Sequence, residues 1–313
     1  MNTSVLFLIF NRPECTQSTF EQIRKAKPKK LYISADGPRL NNHSDFQNCR
    51  TVLEIVSKVD WQCEVKTLFR KENLGCKLAV SEGISWFFEN EEEGIIIEDD
   101  CFPSLDFFWF CESMLKYYRY EYKVSSIVGT NFLDGRKFGP ASYYISKYAD
   151  IWGWATWRRA WSKYDVTINY WNDYKKTDKW KRLHKTKSER LYWEKCFDSV
   201  NDGKCNTWDY QWVLTNFYYS SLTIVPNYNL IQNIGFGNSA THCSQSVCIK
   251  NLHKLKIEKI KEINYTHCLD INHRADELYF RRVHNYSFFE NFLRLYNRLF
   301  NIISSKNFNF SRQ

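Results

Sequence analysis

Three consecutive carboxylates, Glu98, Asp99 and Asp100, follow directly after the apolar run of residues 94–97. We call these three residues the acidic triplet. Side chains of one sign repel one another at the end of a run that is too apolar to face water, so a cation should neutralise them. A divalent metal that carries a phosphorylated ligand fits this position best.

Polar residues that follow three other apolar runs could complete such a site. Arg12 and Arg39 have the forked guanidinium that can bind a diphosphate, and Asp36 can accept a hydrogen bond from a base or ribose. Asp100 can hold a metal that bridges phosphates. Asp36 also suits a turn, and Asn73 suits a helix start. Their coincidence at successive strand ends nevertheless favours one ligand-binding crevice.

The elements that must position these residues are visible as patterns of apolar residues. Four short apolar runs predict strands, and two segments with helical spacing predict helices between them. The runs are residues 5–10, 31–35, 65–69 and 95–97; the helix faces are Phe46, Val52, Leu53, Val56 and Val59, then Val80, Ile84, Phe87 and Phe88. The order β-α-β-α-β-α-β implies a parallel, right-handed, doubly wound sheet, and such sheets bind ligands at the carboxyl ends of their strands.

These motifs resemble those of a known family. The segments LFLIFNRP, ISADGPR and NLGCKLAVSEGISWFFENEEEGIIIEDD are similar to nucleotide-sugar glycosyltransferases of the GT-A fold, over roughly residues 4–243. More narrowly, they resemble bacterial family 2-like enzymes and the N-acetylglucosaminyltransferase that begins complex N-glycans. The resemblance implies that Asp100 holds a manganese or magnesium ion on the diphosphate and that Glu98 and Asp99 contact the nucleoside. It also implies that Asp36 contacts the uracil and that Arg12 lies beside the nucleotide.

The resemblance also implies a fold and a division of the chain. The expected class is α/β, a GT-A type doubly wound, mostly parallel sheet with an aromatic-rich acceptor lobe and a C-terminal helical extension. Residues 1–128 would bind the nucleotide sugar, residues 129–243 would bind the acceptor and carry the catalytic group, and residues 244–313 would form the extension. Arg12, Asp36, Arg39 and Asn73 are the nucleotide-binding candidates outside the acidic triplet.

Tryptophans are concentrated in the second part of the chain. Nine of the twelve lie between Trp152 and Trp212. Most are expected to pack in a core, but the apolar C–H faces of sugars also stack on indoles. One or two of Trp152, Trp154 and Trp208 are therefore expected to touch the donor or acceptor sugar. The resemblance implies that the segment around Gly153 helps form the aromatic side of that sugar site.

Inverting transfer requires a general base that takes the proton of the acceptor hydroxyl. Asp209 is the candidate, because the segment Thr207-Trp208-Asp209 resembles the base-bearing helix start of the family. An aspartate in the first turn of a helix is also favoured by capping and by the helix dipole, whatever the function. Asp150 and Asp173 are the alternative bases.

A loop with two glycines and small polar residues, residues 233–242, could close over a bound donor. The resemblance places polar groups there, sometimes a histidine, against the diphosphate or the metal, which makes His242 a candidate ligand. The alternative is a structural zinc site, but paired Cys-x-x-Cys spacing is absent; its ligands would come from His242, Cys243, Cys248, His253, His267, Cys268 and His273.

The charge balance, 44 basic against 35 acidic residues, gives a net charge of +9. Residues 175–190 are strongly basic and are expected to form a solvated surface. Residues 285–313 have the spacing of an amphipathic helix, which could lie on anionic lipid or dock on the protein itself. No segment has the pattern of a nucleic-acid-binding module. With eleven scattered cysteines and no export signal, we expect reduced thiols and a cytoplasmic protein, with peripheral contact at the inner face of the membrane as an extension of that expectation.

Together these features predict an inverting glycosyltransferase that depends on Mn²⁺ or Mg²⁺. Its donor would be a nucleotide sugar, in the first place a UDP-sugar, and its acceptor a glycan or lipid-linked glycan in the synthesis of bacterial surface polysaccharide or glycoconjugate. A sugar-phosphate nucleotidyltransferase is an alternative, although such enzymes normally have a glycine-rich loop after the first strand, where this chain has NRPE. A noncatalytic carbohydrate-binding assembly protein is the other alternative.

Overall fold

The computed structural model describes residues 1–236 and 255–284. Strands and helices alternate through its first part, because short apolar runs are followed by segments with one apolar face. The elements are β1 (Val5–Ile9), α1 (Pro13–Ala26), β2 (Lys30–Ala35), α2 (His43–Val56), β3 (Glu64–Phe69), α3 (Gly75–Asn90) and β4 (Glu93–Glu98). The order predicted from the sequence is confirmed.

The remaining described elements complete the sheet and cover it. They are β5 (Cys101–Pro103), α4 (Leu105–Tyr117), β6 (Val124–Val128), β7 (Tyr143–Ser146), β8 (Trp154–Trp157), α5 (Arg158–Trp161), α6 (Trp171–Tyr174), α7 (Asp178–Leu183), α8 (Lys187–Asn201), α9 (Asp209–Tyr219), β9 (Leu222–Pro226), β10 (Ile231–Asn233) and α10 (His273–Val283).

Eight strands form one mixed sheet in the order β3-β2-β1-β4-β8-β6-β9-β7. Strands β1 to β4 pair in parallel, and so do β6 and β9, whereas β8 and β7 are antiparallel to their neighbours. The pairing of Leu8 with Glu98 aligns the carboxyl ends of β1 and β4. The predicted α/β class with a doubly wound, mostly parallel sheet is confirmed, and its GT-A type stays a prediction.

The sheet is covered on both faces, as a doubly wound fold requires. Along β1, Val5 and Phe7 face the core under α1, α2 and α4, while Leu6 and Leu8 face the core under α3 and α9. Because alternate side chains of a strand point to opposite faces, a continuous apolar run is what burial on both sides demands. The carboxyl ends of the strands, where the run stops, are left for polar residues.

The predicted apolar face of α2 is wrong in one respect. Phe46 is 49% exposed, and the buried face instead carries Asp45, Cys49, Val52, Ile55 and Val56. The polar Asp45 is buried because it receives several hydrogen bonds, described below. Apolar spacing alone could not reveal a buried carboxylate on this face.

The second part of the chain packs its aromatic residues on one another. Trp154, Trp161 and Trp212 lie within 6.2 Å of one another, measured between ring centroids, and Trp171 and Trp180 contact edge to face. Aromatic pairs at such distances contribute packing beyond their buried area. The predicted aromatic-rich region is confirmed, and most of its tryptophans are core residues.

Residues 255–284 pack back on this fold. The backbone N–H of Asn272 donates to Ile145 O at 2.8 Å, Ser146 Oγ donates to Asp276 at 2.6 Å, and Arg282 pairs with Asp134. The proposed division at residues 128 and 243 stays a prediction, but this part of the predicted extension is integral to the core. His242 and the predicted amphipathic helix of residues 285–313 lie outside the described residues.

Over residues 1–236 and 255–284, no helix combines the length and the apolar character that crossing a membrane would require.

Candidate active site

A cleft of about 1060 Å³ opens at the carboxyl ends of β1, β2 and β4. Its volume is slightly above the range of about 300–1000 Å³ that is typical of small-molecule sites. One side, which we call the strand-end wall, consists of Arg12, Asp36, Arg39, Asn73 and the acidic triplet. The other side, which we call the aromatic wall, consists of Trp152, Thr207, Trp208, Asp209 and Tyr210. The predicted convergence of several strand ends on one crevice is confirmed.

The acidic triplet lies where β4 ends. Asp99 is held by its neighbours, because Phe10 N donates to its Oδ2 at 3.2 Å and Thr19 Oγ1 donates to its carbonyl oxygen at 2.8 Å. Burial, followed by the charges of Asp100 and Asp99, raises the pKa of Glu98 well above its usual range, and burial with the charge of Asp100 raises the pKa of Asp99 to about 7. The predicted mutual repulsion is therefore present.

Arg12 supplies a cation to this cluster. Its Nη1 lies 2.7 Å from Asp100 Oδ2 and 3.6 Å from Asp99 Oδ1. The contact follows from the sheet, since Arg12 stands just after β1 and the triplet ends the paired strand β4. The predicted contact of Arg12 with a diphosphate stays a prediction, and its guanidinium binds carboxylates in this structure.

Asp36 and Asn73 bind each other and the start of α3. Asp36 accepts from the backbone N–H groups of Gly37, Leu74 and Gly75 at 2.9–3.0 Å, and from Asn73 Nδ2 at 2.9 Å. Each carboxylate oxygen therefore already has two donors. Such bonds satisfy N–H groups that a helix start leaves unpaired. Asp36, which follows β2, thus caps the start of α3. Its predicted contact with a base stays a prediction.

Arg39 is engaged in a similar way. Its Nε and Nη2 donate to the two oxygens of Asp45 at 2.5 and 2.9 Å, and Asn11 Nδ2 also donates to Asp45 at 2.7 Å. The hydrogen bonds of Arg39 hold the pKa of Asp45 below its usual range although Asp45 is buried. The fork that we predicted for a diphosphate binds this carboxylate instead, so a diphosphate would have to compete with Asp45.

The oxygen ligands that the triplet offers suit a hard divalent cation such as Mg²⁺. Asp99 and Asp100 offer carboxylate oxygens, and Glu98 Oε1 is buried with no hydrogen-bond partner among the described residues. The part of the chain that the structure describes contains no cluster of three or more histidine, cysteine or acidic ligands arranged for a metal. Mg²⁺ usually takes only one or two carboxylates and completes its shell with water and substrate phosphates. The predicted role of Asp100 fits that pattern.

The three candidate tryptophans do not share one environment. Gly153 has φ +61°, and a Cβ at this position would lie 2.5 Å from Ile231, so the chain turns sharply between Trp152 and Trp154. Trp152 lines the cleft, where its ring meets Phe132 and Phe236 edge-on. Trp154 is 0% exposed and packs against Trp208, so the prediction that it contacts a sugar is wrong. Trp208 is 2% exposed and lines the cleft next to Asp209 in the chain.

Asp209 begins α9, as the sequence predicts, and lines the cleft. Its Oδ1 accepts from Thr207 Oγ1 and from Tyr210 N, whereas no donor in the described parts of the chain contacts its Oδ2. Asp209 and the acidic triplet line the same cleft, and after burial and the charges of Asp100 and Asp99, the charge of Asp209 adds to the raised pKa of Glu98.

The alternative bases lie elsewhere. Asp150 accepts from Tyr279 OH at 2.5 Å, and burial raises its pKa to about 7, but it does not line the cleft. The side chain of Asp173 is 94% exposed beside Lys176. Among the three predicted carboxylates, the geometry therefore brings only Asp209 to the cleft.

Two further residues of the site were not predicted from the sequence. Asp45 fixes Arg39 and Asn11, and Thr207 fixes one oxygen of Asp209. Thr207 could have been found, because a threonine two residues before an acidic helix start commonly bonds locally. For Asp45 the sequence offers only an acidic residue in the first turn of α2, which the helix dipole explains equally well.

No protein-family model and no curated protein matches this chain. Several solved structures are similar to it in fold. A UDP-glucose pyrophosphorylase complexed with UDP-glucose shares 12% identity over 75% of this chain and 94% of that one, with a TM-score of 0.40. The mannosyltransferase PcManGT from Pyrobaculum calidifontis, in complex with GDP-Man and Mn²⁺, shares 7% identity over 69% and 74%, with a TM-score of 0.36. HddC from Yersinia pseudotuberculosis shares 10% over 54% and 83%, with a TM-score of 0.32. Likeness at this level transfers no activity to the chain.

Proposed function

We propose that this protein is an inverting glycosyltransferase that moves one sugar from a nucleotide donor to a glycan acceptor. The observation that carries the proposal is the position of Asp209. Asp209 and the acidic triplet line one cleft, and one oxygen of Asp209 is held by Thr207 and Tyr210 while the other accepts from no donor among the described residues. An anionic leaving group on one wall and a base on the other is the arrangement that direct displacement needs.

In this proposal Asp209 takes the proton from the acceptor hydroxyl while that oxygen attacks the anomeric carbon. The attack comes from the side opposite the nucleotide, so no covalent sugar intermediate forms. The hydrogen bonds to Oδ1 fix the direction of the carboxylate, which leaves Oδ2 to receive the proton. General bases contribute about 10²- to 10⁴-fold to such reactions.

Asp100, with Asp99, would hold a Mn²⁺ or Mg²⁺ ion. When bound, that ion supplies positive charge to the departing diphosphate. Arg12 stands within reach of the same carboxylates and can share the binding of phosphate oxygens through its fork. We propose a UDP-sugar as the donor, a glycan or lipid-linked glycan of bacterial surface polysaccharide or glycoconjugate as the acceptor, and Trp152 as the ring against which a sugar stacks. We further propose that the protein works in the cytoplasm, with peripheral membrane contact through residues 285–313.

The decisive experiment is a panel of nucleotide sugars incubated with the full chain, with and without Mn²⁺, followed by identification of the nucleotide released. A nucleoside diphosphate that appears with Mn²⁺ supports the proposal. A nucleoside triphosphate that appears only when pyrophosphate is added would identify a nucleotidyltransferase instead. Glycan binding without any nucleotide binding would identify a noncatalytic carbohydrate-binding protein.

A further inference from the structure

We propose that Arg12 is an internal cation that occupies the acidic triplet until a diphosphate arrives, so that divalent metal and nucleotide bind together and metal alone binds weakly. This inference rests on the proposed function, since it concerns the same metal and the same nucleotide. Beyond that function, it states that binding of the metal depends on binding of the nucleotide. The residues that carry it are Arg12, Asp99 and Asp100.

The position of Arg12 is fixed by its backbone. Pro13 begins α1, and the carbonyl of Arg12 accepts from Thr16 N at 2.9 Å, so the residue is held at the helix start. Proline at this position has a fixed φ suited to a first helical turn. The side chain can therefore turn about its own bonds while its Cα stays beside the end of β4. A guanidinium that changes partners there needs no movement of the sheet.

The contacts with the triplet are largely shielded from solvent. The side chain of Arg12 is 19% exposed, and those of Asp99 and Asp100 are 9% and 17% exposed. Charge-assisted hydrogen bonds are roughly twice as strong as neutral ones, and shielding keeps them from being screened by salt. A contact of 2.7 Å to Asp100 Oδ2 is therefore a real competitor for that oxygen.

A metal ion requires the same oxygens. Mg²⁺ binds carboxylate oxygen at about 2.0–2.1 Å, which leaves no space for a guanidinium nitrogen on the same lone pair. The chain also passes close to the same oxygen, since a Cβ added to Gly235 would lie 2.4 Å from Asp100 Oδ2, and Ile234 N donates to the backbone oxygen of Asp100 at 2.8 Å. The metal can therefore bind Asp100 Oδ2 only when Arg12 has moved away from that oxygen.

A diphosphate offers Arg12 an equivalent partner. Its paired anionic oxygens match the guanidinium fork, so Arg12 can leave Asp100 without losing charge-assisted hydrogen bonds. Metal and diphosphate then favour each other's binding, and the coupling is reciprocal by thermodynamic necessity. Without nucleotide, Arg12 returns to the carboxylates and lowers their affinity for the metal.

The test measures Mn²⁺ binding to the full chain without nucleotide, by the loss of the electron paramagnetic resonance signal of free Mn²⁺. Arg12→Gln should bind Mn²⁺ about tenfold more tightly than the unmodified protein, as expected for removal of one charged hydrogen bond. Arg24→Gln is the matched control, since Arg24 lies on the same helix and pairs with Asp60 on the surface. It should leave Mn²⁺ affinity unchanged.

Arg12→Lys separates charge from packing, because it keeps the positive charge and changes the fork. It should bind Mn²⁺ as weakly as the unmodified protein, and UDP less well when Mn²⁺ is present. Equal or weaker Mn²⁺ binding by Arg12→Gln overturns the proposal, and so does tighter binding by Arg12→Lys. Circular dichroism spectra that match the unmodified protein establish that each variant is folded.

The result is distinguishable from failure of the proposed function, since the assay involves metal and UDP but no sugar transfer. If the unmodified protein transfers no sugar but Arg12→Gln binds Mn²⁺ more tightly, the proposal for Arg12 stands and the glycosyltransferase proposal fails. If the unmodified protein transfers sugar but Arg12→Gln binds Mn²⁺ no more tightly, the glycosyltransferase proposal stands and the proposal for Arg12 fails.

Discussion

The two walls of the cleft are held together by different forces. The strand-end wall depends on hydrogen bonds between charged groups and specific partners: Asp36 accepts from backbone N–H groups, Arg39 donates to Asp45, and Arg12 donates to Asp100. The aromatic wall rests on stacked rings, with Asp209 at its edge. Charged contacts respond to pH and to charged ligands, whereas buried rings respond to changes in volume. The first wall should therefore govern binding, and the rings behind the second wall should govern stability, whereas Asp209 and Trp152 of the second wall should act on the bound sugars.

Asp209 gives the largest expected effect. Asp209→Asn keeps the size of the side chain and its acceptor oxygen, but the amide cannot take a proton. We expect transfer under saturating donor to fall about 10²- to 10⁴-fold, while UDP binding measured by calorimetry in the presence of Mn²⁺ is unchanged.

Asp178→Asn is the matched control for this substitution. Asp178 also begins a helix after a threonine, but on the exposed surface away from the cleft. It should retain full activity. If Asp209→Asn transfers sugar at the normal rate, Asp209 is a helix-capping residue and the aromatic wall contains no base of this kind.

The buried rings that support the aromatic wall should show their contribution to stability at Trp154. Trp154→Ala removes a fully buried indole from contact with Trp161, Trp208 and Trp212, and we expect a loss of about 3–5 kcal/mol in the free energy of unfolding. Its Nε1 has no hydrogen-bond partner among the described residues, so the loss is one of packing. Urea unfolding measures it. Trp154→Phe, which refills much of the space, should recover a large part, and an equal loss in both variants would contradict a packing role.

The strand-end wall should instead show a dependence on pH. An aspartate in the unfolded chain titrates near pH 3.9, whereas the pKa of Asp99 in the fold is about 7. Between these values the native state binds more protons, so the free energy of unfolding falls as pH rises. Asp99→Asn removes this titration. It should be increasingly more stable than the unmodified protein from pH 4 to pH 7, by about 2–4 kcal/mol in total, and the gain should stay constant above pH 7.

A second variant, for which we expect the opposite change in the free energy of unfolding, checks this interpretation. Arg39 holds the pKa of Asp45 below its usual range, so the stability that Asp45 contributes is present above the unfolded pKa and is lost on acidification. Asp45→Asn should therefore be less stable than the unmodified protein at neutral pH. Urea midpoints at several pH values measure both variants, and a stability difference for Asp99→Asn that does not change with pH would refute the account of Asp99.

The same contrast explains what the sequence could predict. The strand ends were predictable because apolar runs and turns mark where a buried strand stops, and parallel strands then bring those ends together. The partners of the charges were not predictable. Arg12 binds Asp100 across a distance of 88 residues, and Arg39 binds a carboxylate on a helix face that apolar spacing assigned to Phe46. Side-chain pairing depends on the register of neighbouring strands, which one sequence does not encode locally.

Trp152 offers the smallest effect and tests the boundary between the walls. It stands one residue before Gly153, whose left-handed backbone turns Trp152 toward the cleft and Trp154 into the core. Trp152→Ala should raise KM for the acceptor or donor sugar about tenfold, as expected for loss of one stacking contact, with little change in the urea midpoint. Trp109→Ala, which removes a partly exposed tryptophan outside the cleft, is the control and should leave KM unchanged. A Trp152→Ala variant that loses stability like Trp154→Ala, with an unaltered KM, would make Trp152 a core residue and leave the aromatic wall with Asp209 as its main functional group.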